Sequence, residues 1–155
     1  MRVALISDTH GLLRPQVAEA LVGAPLILHA GDVGKPSVLD ALAEIAPVRA
    51  IRGNVDRGDW AKALPEDDVV EVAGRLVYLL HDRNDIAIDP SAAGSGFDVV
   101  LSGHSHKPAE ERRDGVLYVN PGSCGPRRFS LPISMAWLSF TDAEAPTVEF
   151  VTFAP

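Results

Sequence analysis

Five short apolar runs in this chain end in residues able to ligate a metal ion. VALIS is followed by Asp8-Thr9-His10, and LILHA by Gly31-Asp32. VRAIR leads into Gly53-Asn54-Val55-Asp56, LVYLL into His81, and DVVLS into Gly103-His104-Ser105-His106. Carboxylate and imidazole without thiolate suit Mn²⁺, Fe, Zn²⁺ or Ni²⁺ better than soft ions. Residues two apart in an extended segment point to the same side. On that reasoning Asp8 and His10 present an oxygen and a nitrogen to one cation. His104 and His106 likewise face one cavity, each serving a separate ion. The glycines at 31, 53 and 103 are expected to turn the chain sharply off the strand ends.

Each signal has an ordinary reading when taken alone. An acid after a strand often caps a helix, Gly-Asp and Gly-Asn are common turns, and loop histidines are often just solvated. Their joint position at strand ends favours metal, because sites in open α/β sheets form beyond the carboxyl ends of strands. If the five strands share a sheet, five sets of side chains converge on one edge.

The elements that must position them are legible in the pattern. Residues 2–7, 25–30 and 47–52 read as buried strands. Residues 15–22 and 36–45 read as helices opened by Pro15 and Pro36. Strand, helix, strand, helix, strand implies parallel pairing with right-handed crossovers. A short helical stretch is expected near 57–64, and a hairpin over 68–73 and 75–81 about Gly74. Residues 84–96 read as irregular or weakly helical. Residues 98–102 read as a strand, and so do 109–113, 116–119, 133–140 and 147–153. With no domain boundary visible, residues 1–155 read as a single domain.

Composition narrows the function classes. The chain has 155 residues, 46% hydrophobic and 23% charged, which fits a soluble globular protein rather than a disordered chain. A net charge of −7 argues against non-specific nucleic-acid binding and against anionic membranes. The single cysteine, Cys124, excludes a disulfide scaffold and fits a reducing compartment. No apolar run approaches the ~20 residues that cross a bilayer, and no signal-peptide pattern opens the chain. The expected location is cytoplasmic. The late strands leave an edge that a homo-oligomer would cover.

The five motifs, in this order, resemble the calcineurin-like metallophosphoesterases, closest to their short prokaryotic, phosphodiesterase-like branch. The resemblance runs from Asp8 to about Arg128 and includes the Asn120-Pro121-Gly122-Ser123 loop. It implies an α/β fold: a two-sheet β-sandwich flanked by helices, in α-β-β-α layers. It implies one metal on Asp8, His10, Asp32 and His106, and a second on Asp32, Asn54, His81 and His104, with Asp32 bridging. The implied activity is metal-dependent hydrolysis of a small phosphate ester by a hydroxide bridging two divalent ions. Such ions lie about 3.5–4 Å apart and clamp the attacking and leaving oxygens. Manganese is the first expectation, with nickel, iron, zinc or magnesium as alternatives.

Two carboxylates and a hydroxide leave a surplus of about one positive charge on two divalent ions. That surplus suits a singly charged phosphodiester better than a monoester. A non-catalytic protein-binding scaffold is the alternative, since one retromer subunit shares the fold. The complete set of ligand-type residues favours the enzyme.

Two positions depart from the family pattern. Many relatives carry a histidine directly after the asparagine of the third motif, where Val55 stands here. Several carry another two residues after the histidine matching His81, where Arg83 stands. Both absences remove a candidate general acid and imply a preference for esters with acidic leaving groups. Of the remaining residues, His29 inside the second strand is expected in the core or supporting the ligands. Asp56 is expected to cap the next helix or to support Asn54. Arg52, Arg127 and Arg128 read as surface cations rather than phosphate contacts. Cys124 has Ser130, not arginine, six residues later, so it reads as a small buried hydrophobe. Trp60 reads as packing, or else as the floor of a substrate pocket, and Trp137 as core.

Overall fold

The computed structural model describes residues 1–142 and 144–155. Its strands are β1 (Arg2–Ile6), β2 (Ile27–His29), β3 (Val48–Ala50), β4 (Asp67–Val72), β5 (Arg75–Leu80), β6 (Val99–Leu101), β7 (Ala109–Arg113), β8 (Val116–Asn120), β9 (Ile133–Ser139) and β10 (Thr147–Phe153). Its helices are α1 (Pro15–Leu21), α2 (Pro36–Ala43) and α3 (Asp59–Lys62), with a 3-10 turn at Arg83–Asp85. Two five-stranded sheets run β10-β9-β1-β2-β3 and β4-β5-β6-β8-β7.

β1 is apolar on both faces because it is covered on both. Val3 and Leu5 pack between the sheets with Val77, Leu79, Leu101 and Leu117. Ala4 and Ile6 face Val17 and Leu21 of α1 and Val38 and Leu42 of α2. Prolines at the first positions of α1 and α2 fix φ where no intrahelical N–H partner exists. Burying two faces of a central strand demands the unbroken apolar run seen in its sequence.

The strands bearing the five motifs do not share one sheet. β1, β2 and β3 are parallel neighbours in the first sheet, whereas β5 and β6 are parallel neighbours in the second. Apolar runs specify that a strand is buried, not which sheet it joins. The carboxyl ends of the two parallel sets nevertheless open on a common rim.

The helices lie against the first sheet. The outer face of the second, with Tyr78, Leu80, Val100 and Val116, is covered by Ile86 and Phe97. Only a 3-10 turn forms in that covering segment. Pro90, Gly94 and Gly96 interrupt it, and Asp89 closes a local turn by accepting from the Ser91 amide at 3.0 Å. Among the described residues, no helix is long and apolar enough to cross a membrane.

Candidate metal centre

Both sheets deliver side chains to the rim. Asp8 and His10 follow β1, Asp32 follows β2, Asn54 follows β3, His81 follows β5, and His104 and His106 follow β6. Asp8 is fully buried, and its Oδ1 has no hydrogen-bond partner. That oxygen lies 3.3 Å from His106 Nε2, 3.6 Å from His10 Nε2 and 3.8 Å from His81 Nε2. Asp32 Oδ2 lies 3.1 Å from His81 Nε2 and 3.6 Å from His10 Nε2. Each carboxylate therefore turns one oxygen toward the imidazoles and has the other held by the protein. Asp8 Oδ2 accepts from Ser7 Oγ at 2.6 Å and from the His104 amide at 3.1 Å. Asp32 Oδ1 accepts from the Val55 amide at 3.0 Å.

Asn54 and His104 form the outer side. His104 Nδ1 is 3.3 Å from Asn54 Oδ1, and the His104 ring stands edge-on to His81 with centroids 5.2 Å apart. Asp82, which the sequence reading passed over, places Oδ2 3.8 Å from His104 Nε2. Its place directly after His81 was the available signal.

The backbone reaches this arrangement by left-handed turns, not extended chain. Asp8, His10, Asp32, His104 and His106 have φ of 55°, 46°, 55°, 72° and 62°. The alternation expected for Asp8 with His10 and for His104 with His106 does not occur. Asp and His enter this region more readily than most residues, yet each such position still costs of order 1 kcal/mol. Concentrated strain of that kind marks a functional rim.

Gly31 turns at φ 98°, as expected. Gly53 and Gly103 serve a different purpose from the turns expected of them. A Cβ on Gly53 would overlap the Asp32 carboxylate and amide, and one on Gly103 would overlap Ser7 Oγ and Asp8 Oδ2.

The supporting hydrogen bonds fix the rings and loops. His81 Nδ1 donates to the Ala30 carbonyl at 2.8 Å, which directs Nε2 at the carboxylates. His29 is fully buried and is not part of the converging set. Its Nδ1 accepts from the Gly31 amide at 3.1 Å, so Nε2–H donates to Thr9 Oγ1 at 3.0 Å, and Thr9 donates onward to the Val33 carbonyl. Asp56 does not cap α3, whose N-cap is Gly58. It accepts from the amides of Val33, Gly34 and Gly53 at 3.1, 2.8 and 2.9 Å, tying the Asp32 loop to the Asn54 loop.

The Asn120–Ser123 loop buttresses the centre from behind. Asn120 Nδ2 donates to the Gly103 carbonyl at 2.9 Å, and Ser123 Oγ to the Asp8 carbonyl at 2.8 Å.

Electrostatics follow from burial set against pairing. Burial alone would raise the Asp8 and Asp32 carboxyls. The nearby His10 and His106 imidazoles and the hydrogen bond from Ser7 hold Asp8 well below the usual range, and the His81 imidazole and the Val55 amide hold Asp32 low. Burial would lower His81, but Asp32, the Ala30 carbonyl and Asp8 outweigh it and push it up to about 9. Burial lowers His29 to about 4 and raises the Cys124 thiol to about 12.

His29 gives a pH prediction. Between about pH 6.5 and 4 the unfolded chain binds a proton there that the folded chain refuses, so stability falls with pH. The expected loss from pH 7 to 5 is about 2 kcal/mol. Urea unfolding of wild type and His29→Gln at both pH values measures it. Equal pH dependence in the two proteins would refute it.

Other residues lie outside the centre. Trp60, half-buried, packs against the helix-side core. Trp137 packs there too, with the Arg2 guanidinium 4.1 Å from the ring centroid. Arg52 pairs with Glu66 at 3.0 Å, and Arg127 and Arg128 are exposed.

The sequence model of the calcineurin-like phosphoesterase superfamily domain matches residues 1–143. The chain belongs to that superfamily. A probable metallophosphoesterase of Methanothermobacter thermautotrophicus (strain Delta H) is 33% identical over 133 residues, covering 79% of this chain and 77% of that protein. The structure of an archaeal phosphodiesterase matches with a TM-score of 0.80 at 23% identity, over 99% of this chain and 100% of that one. Vps29 of Entamoeba histolytica complexed with zinc matches at 0.72 and 22% identity, over 99% and 100%. These two structures establish likeness of fold.

Calcineurin-like phosphoesterases are metal-dependent phosphoester hydrolases that use divalent ions, and this rim fits such ions. Two groups among the described residues bring ligand atoms within 4.8 Å of one another: Asp8, His10 and His106, and Asp8, Asp32 and His81. The orphaned Asp8 Oδ1 and His81 Nε2 are buried atoms that a cation would satisfy.

Proposed function

We propose that this protein hydrolyses phosphodiesters at two divalent ions held by Asp8, His10, Asp32, Asn54, His81, His104 and His106. The observation that carries the reading is the buried, partnerless Asp8 oxygen ringed by three imidazole nitrogens. Ions bound there would supply Lewis-acid charge and lower the pKa of a water between them to roughly 7, providing hydroxide at neutral pH. Manganese suits the nitrogen and oxygen donors, as do nickel, iron, zinc and magnesium.

The chain's own groups divide the remaining work. Asp32 turns one oxygen to both His10 and His81, the position a bridging carboxylate requires. Asn54 offers a neutral oxygen and keeps its amide N–H₂ to donate to a phosphate oxygen. Cavities of about 400 and 390 Å³ lie on either side of Asp82 and His104, which line both. A diester has two alcohol groups to place, a monoester one, so the paired cavities favour the diester.

Neither residue that stands in place of the missing family histidines is free to protonate the leaving oxygen. Val55 is exposed and apolar. Arg83 is engaged by Glu111 at 3.1 Å and lies 4.5 Å from the Tyr118 ring centroid.

Purified protein with Mn²⁺ is expected to hydrolyse bis(p-nitrophenyl) phosphate and to lose that activity to a chelator. Aryl diesters should turn over faster than alkyl diesters. Equal rates with chemistry limiting would contradict the unassisted leaving group. No turnover with Mn²⁺, Ni²⁺, Fe²⁺, Zn²⁺ or Mg²⁺ would turn the reading to a protein-binding scaffold, a role in keeping with the fold shared with Vps29.

A further inference from the structure

The two cavities beside the centre differ in charge. The one beside Asn54 and His81 is walled by four carboxylates, Glu66, Asp67, Asp82 and Asp85, against the single guanidinium of Arg52. That guanidinium is already paired with Glu66. The other cavity mixes Arg83 and Lys107 with Asp82, Glu110 and Glu111. His81, 8% exposed, also lines the acidic cavity, while its Nε2 is turned toward Asp32 Oδ2 at 3.1 Å in the metal centre. Asn54 and His104, both proposed to hold metal, line the same cavity, so a substituent of a bound ester can project into it.

We propose, resting on the phosphodiesterase reading, that the acidic cavity receives an alcohol group bearing an organic ammonium. The substrate class is a phosphodiester with one amino-alcohol arm. Its phosphate meets the positive centre, and its cation meets the carboxylate wall beyond. The wall is unsuited to a bare metal ion because its acids are dispersed over separate partners. Asp67 accepts from Tyr78 Oη at 2.8 Å, Asp82 accepts from the Asn84 amide at 3.0 Å, and Glu66 is paired with Arg52. Among the described residues, none of these four acids belongs to a group of converging metal-ligand atoms. The same wall repels a second phosphate, so polynucleotides are disfavoured.

The test compares 2-aminoethyl p-nitrophenyl phosphate with its uncharged isostere, propyl p-nitrophenyl phosphate, on the Mn²⁺-loaded enzyme. In each, water oxygen bonds to phosphorus, the P–O bond to p-nitrophenolate breaks, and the water proton passes to solvent. The retained product is 2-aminoethyl or propyl phosphate. At low ionic strength the kcat/KM ratio is expected to favour the aminoethyl ester about three- to fivefold. It should fall toward one in roughly 0.5 M salt, where charge is screened within a few ångströms. It should also fall toward one in Asp67→Asn/Asp85→Asn. Asp85→Asn alone, at an exposed position, should lower it partway.

A ratio near one in wild type, or a ratio unchanged in the double variant, would overturn the proposal. A binding arm separates its failure from failure of the hydrolase reading. Ethanolamine, but not propan-1-ol, is expected to shift the amide resonances of Asn54, Leu80 and Asp85 saturably in ¹H–¹⁵N spectra. Saturable shifts without hydrolysis of any ester would sink only the activity. Hydrolysis without those shifts would sink only the ammonium site.

Discussion

Replacing Asp32 with alanine is expected to lower turnover of bis(p-nitrophenyl) phosphate by at least about a thousandfold, or ~4 kcal/mol of barrier. The fold should survive. Asp32 Oδ2 faces both His10 and His81, so on the proposed reading its loss would remove a donor shared by two ions. Among the described residues, its side chain accepts one hydrogen bond from outside that set, from the amide of Val55, itself an exposed loop residue. Removing a carboxylate that stands beside Asp8 also relieves repulsion between two acids. Melting should therefore move by only a few degrees, while metal content falls below two ions per chain. Asp32→Asn keeps an oxygen for the Val55 amide and should be nearly as inactive, because charge rather than shape is lost. Wild-type turnover in either variant would show that Asp32 does not link the two sites.

Asp56→Ala should do the reverse, damaging stability more than any comparable change in a charged residue away from the ligands. The Asp56 carboxylate is buried and accepts from three backbone amides belonging to two loops. Alanine leaves those donors without their acceptor in a site that water reaches poorly. At about 1.5 kcal/mol for each of the three bonds, the low end for a charged acceptor, the expected loss is ~4–5 kcal/mol. For a chain of this size that corresponds to a melting temperature lower by roughly 10 °C or more. Asp40→Ala, at an exposed position on α2, is the control and should change stability by less than ~0.5 kcal/mol. A loss in Asp56→Ala no larger than the control would mean that the amides find other partners.

The strands were legible because each is a short apolar run punctuated by glycine, proline or a turn. The hairpin about Gly74 and the late strands fall within a residue or two of their expected positions. The seven candidate ligands were legible by residue type and by position after strands. How they come together was not. Strand membership of β5 and β6 in a second sheet depends on packing partners far along the chain, and apolar content is silent about partners. The left-handed backbone at Asp8, Asp32 and the three loop histidines has no periodicity to betray it. Gly53 and Gly103 were visible as glycines, but the reason for them is a neighbouring carboxylate brought close by the fold. Asp56 was noticed only as a cap or a support. Its three amide partners come from loops about twenty residues away as well as from its own.

Because Asp8 and Asp32 come from one sheet and His81, His104 and His106 from the other, the rim is a seam. Neither layer can assemble it unaided, and a chain whose layers had slipped past one another would present scattered acids with weak affinity. Cations captured there would select the correctly mated sandwich and shift its population by mass action. The same ions that equip the chain for chemistry would thus serve as a proofreader of its folding.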